Sequence, residues 1–198
     1  MLWGSDMGIW DDFQKFMGVG QPATQEVATK PTPIVQEQPK QEQPTPDPLD
    51  SYLDRLKMAE SSGKATAKAK TSSAAGHYQF IENTWEELTK RHKKQYTLED
   101  RFDPVKSREI AKLHAKDNKE LLTKALGNEP TDTQLYTAHF LGITGAKKFL
   151  TAPPRKLARD VVDKAQVRAN RSIFYDSKTK KPRTVAQVYS LLQKKIKE

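Results

Sequence analysis

Cysteine is absent from the 198 residues, which excludes both a disulfide framework and thiolate chemistry. Long apolar runs are missing too, and no stretch has the length and hydropathy of a membrane span. Hydrophobic residues make up 35% of the chain, which is lean for a packed core, so part of the chain is expected to lie outside any core. The N-terminus lacks the basic start and continuous apolar run of a secretion signal, and Asp6, Asp11 and Asp12 interrupt it. Delivery outside the cytoplasm would then need a route other than ordinary secretion. Metal-ligand spacing is missing as well. His92 and His114 do not fit an H-E-x-x-H pattern, and without cysteine the expectation is no metal site and no cofactor.

Charge is abundant but uneven. In residues 1–47, three lysines against seven acids give −4, and the whole-chain charge of +9 leaves +13 on residues 48–198. A body this basic favours polyanionic surfaces, whether nucleic acid, anionic lipid or a cell wall with exposed carboxylates. The interleaved basic and aromatic modules of nucleic-acid binders are lacking, so no nucleic-acid partner is required.

Three regions follow from composition. In residues 1–20, Leu2, Trp3, Ile9, Trp10, Phe13, Phe16 and Met17 recur near the spacing of one helical face. The acidic polar residues between them argue against a membrane-surface helix, which would carry Lys and Arg. The segment is therefore expected to be a docking peptide for a protein partner. Residues 21–47 are a Pro/Gln-rich linker, and seven of the twelve prolines fall between Pro22 and Pro48. Such a stretch favours extended polyproline conformations and would reach about 80 Å.

Residues 48–198 carry the helical pattern of one body. Asp47-Pro48 pairs an N-cap acceptor with a proline at the first helical position, ahead of the stripe Leu49, Tyr52, Leu53 and Leu56. Thr84 is expected to cap a second helix carrying Trp85 and Leu88. Asp103-Pro104 repeats the start signal for a long helix that closes at Gly127. Thr131 opens a fourth helix, shorter ones are expected near 145–150 and 154–162, and the last spans about 184–196. No stretch alternates at period two. The fold class is mainly α, an irregular helical domain preceded by a disordered linker.

Within this body Glu60 stands out. It falls at the C-terminal end of the first predicted helix, followed by Ser61, Ser62 and Gly63. The negative end of the helix dipole and partial burial both disfavour a charged carboxylate there. A carboxylic acid kept protonated near neutrality suits glycosidic cleavage, because the leaving oxygen must receive a proton. Taken alone, Glu60 reads first as an ordinary helix end at the surface, since perturbed acids are the minority.

The surrounding motifs narrow the choice. Residues 60–63 read E-S-S-G, and after a small polar stretch residues 72–85 read S-S-A-A-G-H-Y-Q-F-I-E-N-T-W. Together these resemble the soluble lytic transglycosylases, relatives of goose-type lysozyme, whose pattern is Glu-Ser, a loop of small residues, then Gly-Leu-Met-Gln. Glu60 and Ser61 match the first pair, and Gly76 and Gln79 match the glycine and glutamine. Residues 136–150, Y-T-A-H-F-L-G-I-T-G-A-K-K-F-L, resemble the third motif of phage-type members, as do 169–175 and the final T-V-A-Q-V-Y-S-L-L. The resemblance runs in order over about 50–198.

The resemblance implies a lysozyme-like fold and cleavage between N-acetylmuramic acid and N-acetylglucosamine in peptidoglycan, with Glu60 as the single acid and base. It implies substrate contacts from Ser61, Ser73, Tyr78, Gln79, Tyr136, His139 and Tyr175. His77-Tyr78 stands where the family has Leu-Met, and Ala138-His139-Phe140-Leu141-Gly142 stands where it has Ala-Tyr-Asn-x-Gly. His139 thus takes the place of the usual tyrosine, and Tyr136 and Tyr175 are the candidates to supply the missing phenol. A phage-type member implies a virion component, delivered to the host periplasm and bound to other virion proteins through residues 1–20. The altered third motif suits a rival reading: an ejection or structural protein that keeps the fold without the activity.

Overall fold

The computed structural model describes residues 47–197, so the docking peptide and nearly all of the linker lie outside the described residues. Pro44–Glu198 forms one compact unit. Its elements are α1 (Pro48–Ser61), α2 (Glu82–Arg91), a 3-10 turn (Leu98–Phe102), α3 (Pro104–Leu126), α4 (Asp132–Leu150), a second 3-10 turn (Ala158–Asp160), α5 (Lys164–Ala169), α6 (Arg171–Phe174) and α7 (Val185–Ile196). Among the described residues there is no strand, only isolated bridges such as Lys68 with Ala75 and Ala75 with Phe80. The fold is mainly α. No described helix is long and apolar enough to cross a membrane.

Local chemistry explains where the main helices begin and end. The Asp47 carboxylate accepts from the Leu49 amide at 3.0 Å, with Pro48 at the first position, where a missing N–H leaves nothing unpaired. Asp103 does the same for α3, accepting from Val105 at 2.8 Å and Lys106 at 3.0 Å. Gly127 ends α3 at φ +77°, in the left-handed region that a glycine enters without a Cβ penalty. Thr131 with Gln134 and Thr184 with Gln187 form reciprocal capping boxes at the starts of α4 and α7.

Three expectations are corrected. Thr84 caps nothing: α2 starts at Glu82 after Ile81, which makes no side-chain cap bond. The separate helix expected near 145–150 is the second half of α4, continued across a kink at Gly142 (φ 67°, ψ 159°). Gln166 donates to the Leu141 carbonyl at that break. In 154–162 only Ala158–Asp160 is helical, as a single 3-10 turn. The short helices α5 and α6 had no distinct apolar period to announce them.

One hydrophobic core organises the unit. The α1 stripe Leu49, Tyr52, Leu53 and Leu56 is buried together with Trp85, Leu88, Ile110, Leu122, Tyr136, Leu141, Phe149, Val188 and Leu192. The central layer is α3 and α4; α1 and α2 pack on α3, and α7 packs on both α4 and α1. The end of α1 therefore meets α4 and α7 across the core. Ion pairs line the α1–α3 seam, with Arg108 bridging Asp50 at 3.2 Å and Asp54 at 2.7 Å, and Lys112 reaching Asp47 at 2.9 Å. The Arg55–Asp132 pair joins α1 to the first turn of α4.

Among the described residues the core side chains come from residue 49 onward, and a fragment of residues 44–198 should fold alone. It should show one cooperative thermal transition within about 2 °C of the full chain. A lower or broadened transition in calorimetry would show that the first 43 residues complete the core.

Candidate active site

Glu60 lies in the last turn of α1. The chain leaves the helix at once. Ser62 adopts φ 53° and Gly63 φ 77°, and the Ser62 amide donates back to the Met58 carbonyl. Ser61 is buried, and its hydroxyl donates to the Lys57 carbonyl at 3.0 Å, one turn back. The turn leaves the Glu60 side chain only 14% exposed.

Groups from three helices meet around this carboxyl. The Tyr136 hydroxyl, from α4, donates to Glu60 Oε1 at 2.7 Å. Lys195 Nζ, from α7, lies 3.7 Å from the same oxygen and 5.7 Å from the centre of the Tyr136 ring. Tyr52, two turns earlier on α1, is buried close enough for the Glu60 charge to act on it. Burial first, and the Glu60 charge second, push the Tyr52 and Tyr136 hydroxyls well above the usual tyrosine range. Both phenols therefore stay protonated, and Tyr136 stays a donor.

His139 sits under Tyr136, its ring stacked at 15° and 6.4 Å. Its ring also lies 5.6 Å from that of Phe80, which sets α4 against the loop after Glu60. His114 of α3, 6.0 Å away, and Phe80, 5.9 Å from His114 and 5.6 Å from His139, complete a triangle of rings. Burial drives the His114 imidazole down to about 3, and the His139 charge, when present, pushes the same way. His139 is also lowered, by burial foremost, although the Glu60 charge opposes it. Both rings are thus neutral at physiological pH. Among the described residues no group of three or more metal-ligating side chains is assembled.

The loop over residues 63–81 is held by its own polar groups. His77 Nε2 bonds the Gly63 carbonyl at 3.1 Å, linking the loop to the turn that follows Glu60. Gln79 adopts φ 50°, unusual for a residue with a side chain. Its amide offsets that strain by donating to the Gly76 carbonyl at 2.9 Å and the Ala67 carbonyl at 3.2 Å. Beneath lies Arg101, 5% exposed, donating to the carbonyls of Leu98, Ser73 and Phe80 at 2.8, 2.7 and 3.3 Å. Gly76 packs against the same residue so closely that a Cβ there would lie 1.9 Å from the Arg101 carbonyl oxygen, at φ +76°.

Of the residues singled out from sequence, the structure gathers Glu60, Tyr136 and His139 directly. Ser61 adjoins them in the chain but turns its hydroxyl back into α1. Tyr78 is 1% exposed, with its hydroxyl 3.4 Å from Arg108. Ser73 is exposed, and its hydroxyl accepts from the Glu82 amide at 3.2 Å. Tyr175 stands apart from this group: its ring lies 4.6 Å from Arg171 and 5.8 Å from Arg159, whose guanidinium bonds its hydroxyl. Trp85 and Phe80 are core residues. Sequence reasoning missed Arg101 and Lys195, which no motif marks. It also passed over Tyr52, although the α1 stripe that ends at Glu60 contains it.

Residues 40–127 match the family described as "Transglycosylase SLT domain". The matched stretch holds Glu60, the loop and Arg101, and it supports a place among the lytic transglycosylases and lysozyme-like proteins. It ends before α4, so Tyr136, His139 and Lys195 are beyond it.

Two outcomes follow. Gly76→Ala should lower stability by about 2 kcal/mol or more, since the new methyl meets a backbone carbonyl at a left-handed φ. An unchanged melting temperature would mean that the loop and the Arg101 backbone are not packed together. The neutral histidines add an acid sensitivity. With folded-state values below the ordinary 6.5, they contribute stability that is complete above pH 6.5 and is lost as pH falls towards about 3. His114→Gln should flatten that acid limb in melting curves taken from pH 7 to 4, and an identical limb would clear His114 of the effect.

Proposed function

We propose that residues 48–198 cleave the glycan strands of bacterial peptidoglycan as a lytic transglycosylase, with Glu60 as both acid and base. The observation that carries this reading is a shielded carboxyl with no carboxylate companion. Among the described residues, the side chains that bond or pair with the Glu60 carboxyl are Tyr136 and Lys195, and neither is a carboxylate. Ordinary retaining and inverting glycosidases need two carboxyl groups flanking the bond. A single one suits a reaction in which the substrate supplies its own nucleophile.

The chemistry would run in two balanced steps. Glu60 gives its proton to the glycosidic oxygen as the bond to the anomeric carbon breaks, and the electron pair leaves with that oxygen. The C6 hydroxyl of the same muramic sugar then attacks the anomeric carbon, and its proton returns to the Glu60 carboxylate. A 1,6-anhydro ring forms, and no water is consumed. Tyr136 keeps one carboxylate oxygen in place throughout. In this reading Ser73 and Gln79 belong to the sugar-binding surroundings, Gln79 also holds the loop shape and His139 supports Tyr136, while Ser61 turns back into α1, Tyr78 is buried and Tyr175 stands apart.

The reading extends to a setting. The likeness of 136–150 and 169–175 to phage-type members supports a virion component that opens the host wall during infection. Residues 1–20 would serve as its anchor to other virion proteins and 21–47 as its tether. A tether of this kind keeps a basic enzyme concentrated near an anionic wall.

Glu60→Gln should abolish clearing in a peptidoglycan zymogram while the protein still folds with one cooperative transition, because amide replaces carboxyl at nearly equal volume. Mass spectrometry of the wild-type digest should show 1,6-anhydro ends. Reducing ends in their place would convert the reading to a hydrolase, and residual turnover in a folded Glu60→Gln protein would remove Glu60 as the acid.

A further inference from the structure

Lys195 comes from the far end of the chain, in the last turn of α7, yet its ammonium lies 3.7 Å from Glu60 Oε1 and 5.7 Å from the centre of the Tyr136 ring. The oxygen it approaches is the one that accepts from the Tyr136 hydroxyl. We propose that Lys195 is a positioning residue for Glu60: it stabilises the carboxylate charge that appears there when the proton is given to the substrate. This rests on the reading of Glu60 as the acid.

The surroundings explain why a cation is needed. Glu60 is largely shielded from water and sits at the carbonyl-rich end of α1, and both features oppose a negative charge. The groups that face it are the phenols of Tyr52 and Tyr136 and the imidazole of His139, all neutral because burial keeps their charged forms out of reach. None of these carries a compensating positive charge. Lys195 does, and at 3.7 Å it acts through charge rather than through a direct hydrogen bond. It donates and accepts no proton in either step.

Its position also sets which kinetic quantity it affects. The proposed first step requires a protonated Glu60 in the substrate complex, and in that form it gains little from a nearby ammonium. As the glycosidic bond breaks, charge develops on the carboxyl, and the cation then stabilises the transition state more than the bound substrate. Removing it should therefore lower kcat and leave KM unchanged. Lys195 is 43% exposed, so water and salt weaken the interaction and the effect is modest.

The test uses the full-length protein, with purified peptidoglycan fragments as substrate and anhydro ends as the readout. Lys195→Met should lower kcat about two- to fivefold at unchanged KM and unchanged folding, and Lys195→Arg should restore most of it. A raised KM in Lys195→Met, or equal losses in the Met and Arg variants, would overturn the inference. An unchanged kcat in Lys195→Met, beside an inactive Glu60→Gln, would overturn it while leaving Glu60 as the acid. A second arm needs no activity: melting shifts of Lys195→Met and Glu60→Gln, singly and combined, should fail to add, because each removes one charge of a pair. Additive shifts would overturn the coupling. A folded wild-type protein that releases no glycan fragments would instead overturn the reading on which the inference rests.

Discussion

The hydrogen bond from Tyr136 to Glu60 joins residues 76 positions apart and sets the geometry of the whole site. It forms only if α1 and α4 both pack on α3, so that the end of one helix meets the middle of another. The apolar stripe of α1 secures its side of that arrangement, and the Arg55–Asp132 pair fastens the helix to the first turn of α4. Tyr136 in turn rests on His139, whose ring contact with Phe80 brings the loop into the same assembly. A shift of any one of these parts would move the carboxyl relative to its donor.

Polar groups in this unit do work that apolar packing cannot. Arg101 is buried, yet its guanidinium serves three backbone carbonyls, which an aliphatic side chain would leave unpaired. Its loop can then follow an irregular path with left-handed turns at Gly76 and Gln79. Farther along, Arg183 donates to the carbonyls of Ser172, Ile173 and Tyr175 and closes the end of α6. In both places a cation organises backbone, not ligand. Much of the high positive charge of the body thus remains for long-range attraction to anionic surfaces, while selected arginines hold irregular segments together.

Residues 136–150 resemble the third motif of the phage-type members, with His139 where that pattern has tyrosine. A tyrosine there would present a hydroxyl, whereas the imidazole stacks beneath Tyr136. The phenol beside the carboxyl comes from Tyr136, one helical turn earlier. On that resemblance the hydroxyl is relocated rather than deleted. Under the proposed reading this answers the objection that the altered motif points to an inactive protein.

Local signals determined a good deal by themselves. Asp47-Pro48, Asp103-Pro104, Gly127, Thr131 and Thr184 place helix ends because capping and left-handed glycine are chemistry within a few residues of chain. The α1 stripe predicted a buried face ending at Glu60, and the E-S-S-G stretch with its following loop marked the residue worth examining. Thr84 failed as a cap because the chain before it was already committed to the loop held by Arg101. The kink in α4 had Gly142 as its only trace, since a glycine permits a left-handed φ without requiring one. Lys195 and Arg101 left no local mark at all. Lys195 reaches Glu60 across 135 positions, and Arg101 reaches Phe80 and Ser73 across 21 and 28, so only tertiary packing decides which side chains share a space. The sequence determined which carboxyl stands at the end of α1, and the tertiary structure alone decided which groups surround it, because electrostatic environment depends on distance in space rather than along the chain.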